Sequence, residues 1–415
     1  MKTSRYQSYA ALGNIIEWYD FTLYVAFIPI FSQLYFSQVD PATGIIIGYA
    51  VFAISYLARP IGSYFFGKMG DKLGRKATLL LTIGLMTLTM LSIGYLPTAT
   101  HWGNSAAILL ILLRLIQGIA AGGEVTGTFV YMLESCTKEK RGFFGALTWS
   151  FVSIGILLGS LTIMLVQSML SPMHFMLEGW RLCYFIGVAL GFLFFFIRLS
   201  MPESIDYSQL KKRQNEQVKQ KASMQQIIML IGLMATPASL FYFTFFYLPQ
   251  YTQQYSNTNW PYIHILVAIV QLLGIGMMLF FGQLSDKYKS YPILLTSSIL
   301  SLILPFGLLF VMNDNAHYFM IFCVFVLFTL LTMSYQGPLP SLMIKCTHIE
   351  TRYFTTAMGF NIGFAIFGGL APLISQLLII QTGSLLSPAV YLLICSLITL
   401  ATLFYYRNTI KNNEK

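Results

Sequence analysis

Charged residues are scarce in this chain of 415 amino acids, since only 10% are charged and 56% are hydrophobic. Soluble domains carry about 25% charged residues, so much of this surface must face something other than water. Cysteine and histidine are also scarce, with five of each. The cysteine spacing fits neither a metal site nor a disulfide framework, so we expect packing roles for the thiols and no metal or cofactor.

Signatures of catalysis and of nucleic-acid binding are missing as well. No nucleophile–base constellation, metal-ligand cluster or phosphate-binding loop lies in a polar region, so the sequence predicts neither an enzyme nor catalytic residues. The net charge of +10 would indicate nucleic acid only if the cations shared one soluble face. We interpret it as a sign of membrane topology and expect no nucleic-acid partner.

Long apolar runs dominate the sequence. A membrane span needs roughly 20 mostly apolar residues, and helices are predicted because a lipid-facing segment must satisfy its own backbone hydrogen bonds. The expected fold class is therefore an all-α polytopic protein of the lipid bilayer with twelve spans. These cover about residues 8–33, 44–66, 78–98, 105–133, 143–168, 181–199, 225–250, 262–282, 292–312, 317–344, 355–380 and 386–406.

The distribution of Lys and Arg predicts the orientation. With the N-terminus inside, 22 of the 25 Lys and Arg fall on the cytoplasmic side, whereas Arg181 falls near the outer side and Arg59 and Arg114 lie within spans. Cytoplasmic loops carry such an excess of positive charge. Both termini are therefore expected in the cytoplasm. No small-residue cleavage site follows the first apolar run, so we predict a retained first helix.

One long polar stretch divides the chain. This linker covers about 201–224 and separates a six-helix bundle at 1–200 from a second at 225–415. A basic loop, GKMGDKLGRK at Gly67–Lys76, returns in weaker form as GQLSDKYKS at Gly282–Ser290, 215 positions later. Two parallel halves are typical of secondary transporters. They predict a substrate site near the membrane midplane and a motion in which one half rocks against the other. A monomer suffices for such a mechanism.

Ionisable residues within spans are costly and are therefore candidates for function. The first half contains Glu17, Asp20, Arg59, Arg114 and Glu124. The second half has almost none, with His264 near the outer end of a span as the exception. This asymmetry predicts that the residues that bind a coupling ion lie in the first half and that the second half mainly shapes the substrate pocket.

Glu17 and Asp20 are spaced i, i+3 and share a helix face. Two close carboxylates disfavour each other's ionisation unless a cation intervenes, and guanidinium stays charged when buried. We predict that Asp20 accepts a proton and then releases Arg114, although a permanent ion pair that fixes helix packing is the alternative. Two roles stay open for Glu124, which could take part in coupling or could pair with Arg59. The glycines that precede it, at i, i+4 spacing, favour close helix packing.

The basic loop predicts a cytoplasmic gate. Asp71 lies near the start of the third span or of a neighbouring helix, where a carboxylate gains from the helix dipole. Arg75 and Lys76 are expected to pair across the cytoplasmic face. The alternative is that these cations only retain positive charge inside. The other gate candidates are Gly67, Glu134, Arg141, Asp286, Glu350 and Arg352.

Seven blocks of sequence resemble one family. They are GNIIEWYDFTLY (13–24), ARPIGSYFFGKMGDKLGRK (58–76), RLIQGIAAGGEVTG (114–127), RGFFGA (141–146), GWR (179–181), MPES (201–204) and GFNIGFAIFGGLAPLI (359–374). Together they resemble the metabolite:proton symporters of the major facilitator superfamily, which include proline/glycine betaine, α-ketoglutarate, shikimate and citrate symporters. The resemblance implies a bacterial inner-membrane protein that imports a small polar metabolite with protons.

The predicted substrate site combines the arginines with residues of the second half. Arg114 or Arg59 can bind a carboxylate, and aromatic faces attract an ammonium group. A zwitterion such as proline or betaine is therefore the leading substrate, although the aromatic residues could serve packing alone. The second-half candidates are Tyr242, Phe246, Tyr335, Gln336 and Asn361.

Three other functions stay open at this point. Two arginines within spans suit a di- or tricarboxylate or another organic acid equally well. A proton-coupled exporter of drugs or siderophores would differ in the direction of transport. A sensor built on a transporter scaffold would bind its ligand without flux.

Overall fold

A computed structural model of the chain describes residues 2–213, 222–255, 263–312 and 317–413. Within these ranges the chain contains no β-strand, and twelve helical segments are long and apolar enough to span a membrane. The predicted all-α polytopic fold is therefore confirmed. The long helices are α1 (Lys2–Tyr35), α2 (Pro41–Lys72), α3 (Arg75–Gly94), α4 (Asn104–Glu134), α5 (Arg141–Met169), α6 (Trp180–Leu199), α7 (Met224–Tyr242), α8 (Ile263–Tyr288), α9 (Ser290–Val311), α10 (Tyr318–Gln336), α11 (Arg352–Gly363) and α12 (Ser387–Tyr405).

Shorter helical segments extend or connect the long helices. Three are π-helical turns, which often accompany functional sites; they lie at Phe175–Gly179 before α6, Phe243–Tyr247 after α7 and Phe364–Gly369 after α11. The others are Ala99–Trp102, Lys138–Lys140, Pro172–His174, Ile205–Arg213, Leu248–Tyr255, Leu339–Lys345, Ala371–Thr382 and Arg407–Asn413.

The basic loops are shorter than the sequence predicted. Most of Gly67–Lys76 is helical because α2 continues past its apolar run through Lys72, and only two residues separate it from α3. One of them, Gly74, has a φ of +112°, a conformation that glycine adopts without strain. In the second loop, Lys289 alone separates α8 from α9, with a φ of +69°.

Two predictions fall partly outside the described residues. The linker contains the helix Ile205–Arg213, but its residues 214–221 are not among those described. The side chain of His264 is outside the description as well.

By their internal contacts the residues group into two compact units. Unit 1 comprises Met1–Ser135, Phe151–Lys219 and Ile349–Ala357. Unit 2 comprises Cys136–Ser150, Gln220–His348 and Met358–Lys415. The beginning of α5 thus groups with unit 2 and the beginning of α11 with unit 1. The predicted halves, 1–200 and 225–415, were defined by the internal sequence repeat and not by contacts, so they stay a proposal.

Aromatic side chains fill the interior of each unit. In unit 1, the rings of Phe31 and Trp180 meet edge to face, with their centroids 5.1 Å apart. In unit 2, the Trp149 ring lies 5.9 Å from that of Phe360 and 6.1 Å from that of Phe364. Burial of such large rings contributes strongly to core packing. Many large apolar side chains of the long helices are exposed, among them Leu57, Phe196 and Phe319, as expected of helices that face lipid.

Candidate functional site

Two buried ion pairs lie side by side in unit 1. The Arg59 Nη2 atom of α2 is 3.0 Å from Glu17 Oε1 of α1. The Arg114 Nη1 atom of α4 is 2.7 Å from Asp20 Oδ2. All four residues are at most 4% exposed. Burying an unpaired ion costs several kcal/mol, so each cation offsets the burial of one carboxylate.

Gln117 joins the second pair into a three-membered cluster. Its Nε2 donates a hydrogen bond of 3.1 Å to Asp20 Oδ1, and its Oε1 accepts one from Arg114 Nη1. The Arg114 guanidinium also lies 3.6 Å from the centroid of the Tyr24 ring, a cation–π contact. Asp20 therefore binds two donors from one turn of α4, and the predicted pairing of Asp20 with Arg114 is present.

A small cavity of about 30 Å³ opens between these pairs. Its walls include both carboxylates, both arginines and the rings of three aromatic residues. This volume holds a water molecule or two but not a metabolite. The aromatic residues are Phe21, Phe52 and Tyr56.

Small residues let α4 pack directly on α2 beside the cavity. A Cβ atom at Gly118 would meet the Ser55 carbonyl oxygen, and one at Gly122 would meet that of Arg59. Close backbone approach of this kind needs glycine. The packing role predicted for these glycines is therefore confirmed, and it fixes the helices that carry Arg59 and Arg114.

Glu124 forms a third ion pair, with a partner that the sequence analysis did not name. Its Oε1 lies 2.5 Å from Arg198 Nη2, and its Oε2 accepts a hydrogen bond from the Thr82 hydroxyl. Arg198 also donates to the Leu79 and Ala10 carbonyl oxygens. Of the two roles left open for Glu124, coupling and pairing with Arg59, neither is what this contact shows: the ion pair of Glu124 is with Arg198, and that of Arg59 is with Glu17.

A charge network in unit 1 contains several predicted gate residues. Arg75 binds Glu134 through two parallel hydrogen bonds of 3.0 Å. Glu134 also lies 3.0 Å from Arg352, which is in turn 3.2 Å from Asp206. Ser204 donates a further hydrogen bond of 2.7 Å to Glu134. Bidentate Arg–carboxylate geometry is among the strongest polar contacts in proteins.

Asp71 caps the beginning of α11. Its two carboxylate oxygens accept hydrogen bonds from the amides of Tyr353 and Phe354, at 3.1 and 2.9 Å. The first amides of a helix lack partners within it, and a carboxylate there gains from the dipole. Of the two helix starts predicted for Asp71, the neighbouring helix is the one observed. Gly67 permits this approach, since a Cβ there would strike the Phe354 backbone.

Asp286 does the same for α5 within unit 2. Its carboxylate accepts hydrogen bonds of 2.6 and 2.9 Å from the amides of Gly142 and Phe143. Arg141, the first residue of that helix, is 8% exposed. Unit 2 therefore repeats the capping aspartate.

Glu203 caps α3, whose first amides are those of Arg75 and Lys76. The distances to its carboxylate are 3.0 and 3.2 Å. The Lys76 ammonium donates to the Leu199 carbonyl oxygen at 2.8 Å. The expected pairing of Lys76 with a charge across the cytoplasmic face is therefore not observed, because this side chain turns back to the end of α6.

The predicted pocket residues of unit 2 lie on three helices. Tyr242 of α7 and Phe246 of the following π-helical turn stack with their centroids 5.2 Å apart. Tyr335 and Gln336 end α10, and Asn361 lies on α11. Except for Phe246, these residues are at most 3% exposed. The structure brings the two rings together and places the other three on α10 and α11.

Comparison with known proteins identifies the family. The sequence profile of the Major Facilitator Superfamily matches residues 10–361. The chain belongs to the Major Facilitator Superfamily. One relative of this superfamily member is the glycine betaine/proline/ectoine/pipecolic acid transporter OusA of Dickeya dadantii, 30% identical over 96% of this chain and 82% of that protein. Another is the proline/betaine transporter of Escherichia coli, 29% identical over 95% and 81%.

Solved structures of superfamily members have the same fold. The proton:xylose symporter XylE of Escherichia coli superimposes with a TM-score of 0.82 at 12% identity, covering 98% of this chain and 96% of that one. The fucose:proton symporter FucP of Escherichia coli gives a TM-score of 0.69 at 14% identity, covering 97% of this chain and 98% of that one. With its transporter relatives and twelve spans, the chain is a multi-pass secondary transporter and not an enzyme.

Sequence reasoning missed three residues of this transporter's polar interior. Arg198 was counted among the cytoplasmic cations, yet it is fully buried. Glu203 belongs to the MPES block but received no role. Gln117 is uncharged, so a search for ionisable residues passed over it. Its position three residues after Arg114, on the same helix face, is the signal that could have found it.

Proposed function

We propose that this transporter imports a small zwitterion of the proline/betaine kind together with protons, across a bacterial inner membrane, with both termini in the cytoplasm. Its relatives' names support the substrate class, and the excess of Lys and Arg on one side supports the orientation. The observation that carries the mechanism is the buried cluster of Asp20, Arg114 and Gln117, next to the pair of Glu17 and Arg59.

The cluster explains how proton and substrate can bind together. A proton on Asp20 removes the charge that Arg114 neutralises. The guanidinium is then a buried cation without a counterion, which is costly, so it attracts the carboxylate of a substrate. Conversely, a bound substrate carboxylate weakens the hold of Arg114 on ionised Asp20 and favours the proton there. Each ligand therefore raises the affinity for the other, as linkage requires.

The cation of the zwitterion would be bound by aromatic faces. Tyr56 and Phe52 line the cavity in unit 1, and the predicted set from unit 2, Tyr242 with Phe246, Tyr335, Gln336 and Asn361, stays part of this proposal. Because the cavity holds only about 30 Å³, it must enlarge to admit a metabolite. We assign that change to a gate formed by the Asp71 cap, the Arg75–Glu134–Arg352 network and the Asp286 cap.

Uptake into proteoliposomes tests the proposal. We expect radiolabelled proline or glycine betaine to accumulate when an inward proton gradient is imposed. Asp20→Asn should abolish gradient-driven accumulation while exchange of labelled for unlabelled substrate persists, because exchange needs no net proton movement. Glu178→Gln is the matched control, since Glu178 is a carboxylate of unit 1 whose side chain is 75% exposed. Full accumulation by Asp20→Asn would refute the coupling role.

A second candidate substrate is an organic acid. Two arginines line one cavity, and guanidinium binds carboxylates bidentately. Labelled α-ketoglutarate, shikimate and citrate in the same assay decide between the classes. Accumulation of one of these without proline or betaine would replace the zwitterion. Proton-driven efflux with no accumulation would indicate an exporter.

A further inference from the structure

We propose that unit 2 binds an anionic phospholipid beside the turn that joins α8 to α9. The headgroup would occupy a basic pocket, and one acyl chain would lie in an apolar groove that continues from it. None of the residues that line this site belongs to the ion pairs of unit 1, and the site adds a lipid ligand to the proposed transport function.

The headgroup pocket has a volume of about 510 Å³, within the range of ligand sites. Three cations line it: Lys289 of the turn, and Arg407 and Lys411 of the short C-terminal helix. No acidic residue is part of the lining. In the part of the chain that the structure describes, none of the three cations lies within salt-bridge distance of a carboxylate. Three unneutralised cations around one pocket attract an anion.

Aromatic residues form the remainder of the pocket wall. Tyr288, Tyr291 and Phe404 line it, and the Lys411 ammonium lies 5.3 Å from the centroid of the Tyr291 ring. Tyrosine is enriched at the level of lipid headgroups, where its ring meets apolar chains and its hydroxyl meets water. Basic pockets between membrane helices are a known means of binding anionic headgroups.

The groove supplies a place for the acyl chain. It has a volume of about 430 Å³ and shares Tyr288 and Pro292 with the basic pocket. From Pro292 to Leu304 it follows α9 for twelve residues, which is about 18 Å at 1.5 Å per residue. This length matches the depth of one leaflet, half of a hydrocarbon core about 30 Å thick. The groove is lined mainly by Phe281, Leu284, Ile293, Leu300, Leu327 and Leu330.

The backbone at Lys289 supports a role for its side chain. Among the described non-glycine residues, Lys289 alone has a positive φ, and its φ and ψ of +69° and +159° lie in a region nearly restricted to glycine. The equivalent residue of the first turn, 215 positions earlier, is Gly74. A lysine at a position that favours glycine is consistent with a side chain selected for its charge.

Lipid titration of the delipidated full-length protein, followed by native mass spectrometry, tests this site. The probes are palmitoyl-oleoyl phosphatidylglycerol, phosphatidylcholine with the same chains, and glycerol 3-phosphate as a headgroup without chains. We expect phosphatidylglycerol to bind at least about tenfold more tightly than phosphatidylcholine, because each cation near an anionic lipid surface favours binding severalfold. Glycerol 3-phosphate should not displace it, since the acyl chain contributes most of the buried area.

Matched variants identify the residues. The double variant Arg407→Gln/Lys411→Gln should bind phosphatidylglycerol at least about tenfold more weakly. Lys138→Gln/Lys140→Gln removes two exposed cations of unit 2 that are outside the pocket and should bind normally. Leu300→Trp, which fills the groove, should weaken both lipids. Equal binding by the two double variants, or equal affinity for the two lipids, would overturn the proposal. If the first double variant fails to fold, Lys289→Gln tests the same pocket.

Discussion

The interiors of the two units differ in how they use polar groups. Unit 1 buries nine charged residues among those described, and its carboxylates are matched by arginines. In the described part of unit 2, Arg141 at the start of α5 is the one charged residue that is buried. The other buried polar residues there are Ser, Thr, Asn and Gln. The Ser and Thr hydroxyls often donate to the carbonyl oxygen four residues earlier, as Ser298 does to Leu294.

This difference separates two ways of stabilising a membrane bundle. A hydroxyl that donates to a carbonyl of its own helix does not join two helices. The contacts between helices then depend on the shape and size of their side chains. A buried ion pair instead fixes one helix against another. However, the free energy needed to desolvate the two ions is about as large as the free energy gained from their attraction. Charges retained at such a cost are most easily explained by function, as we propose for Asp20, or by fixed positions for neighbouring helices, as at Glu124.

The largest expected effect comes from breaking the Glu124 pair. Arg198→Met leaves a fully buried carboxylate without its cation and frees the Leu79 and Ala10 carbonyl oxygens. We expect a loss of about 3–5 kcal/mol in the free energy of unfolding. The thermal unfolding midpoint of the purified protein, followed by far-UV circular dichroism, measures it.

Unit 2 supplies the control for this prediction. Thr332→Val removes a buried hydroxyl that lies 3.2 Å from that of Thr244, and should cost only about 1 kcal/mol. The double variant Arg198→Met/Glu124→Met should recover part of the loss, because a pair replaced by apolar residues leaves no buried charge. Equal losses in Arg198→Met and Thr332→Val would contradict the contrast between the units.

A smaller effect is expected from the feature that the units share, the capping aspartate. Asp71→Ala should speed hydrogen exchange at the amides of Tyr353 and Phe354, whereas Asp286→Ala should do so at Gly142 and Phe143. Loss of a cap costs about 1 kcal/mol, which corresponds to roughly fivefold faster exchange. Exchange followed by mass spectrometry of the two segments provides the measurement.

Each aspartate variant is the control for the other. The segment of the unit that was not substituted should keep its exchange rate. Asp71 also lies 3.4 Å from Arg75, so Asp71→Ala should have the larger effect. Faster exchange in both segments with either variant would show that the caps are not independent.

The sequence was sufficient to predict features that depend on one helix or on a strong charge. Hydropathy located the twelve spans, and the scarcity of buried cations led from Asp20 to Arg114. Features that depend on which helices become neighbours were missed. Arg198 lies at the end of a span, where an arginine ordinarily extends toward the headgroups, and no one-dimensional pattern shows that it turns inward to Glu124. The helix capped by Asp71 begins 281 positions later in the sequence, beyond the reach of local patterns.

The smallest expected effect concerns the two turns, at Lys289 and at Gly74. Unlike the losses above, it is a gain in stability. Lys289→Gly should relieve a backbone conformation that costs a non-glycine residue about 1–3 kcal/mol. Part of that gain is lost because glycine makes the unfolded chain more flexible, by about 0.4–1 kcal/mol. A net stabilisation of about 1 kcal/mol is expected, measured as a higher thermal unfolding midpoint.

The first turn provides the reverse substitution. Gly74→Ala should destabilise the protein, because φ is +112° there and the new Cβ would meet the Glu203 carboxylate that caps α3. A lower midpoint for Lys289→Gly would mean that the lysine side chain contributes more than its backbone costs. A higher midpoint together with weaker phosphatidylglycerol binding would show that this turn retains a strained lysine for its ligand. The two turns then share a backbone conformation but differ in purpose, one packing against a capping carboxylate and the other presenting a cation.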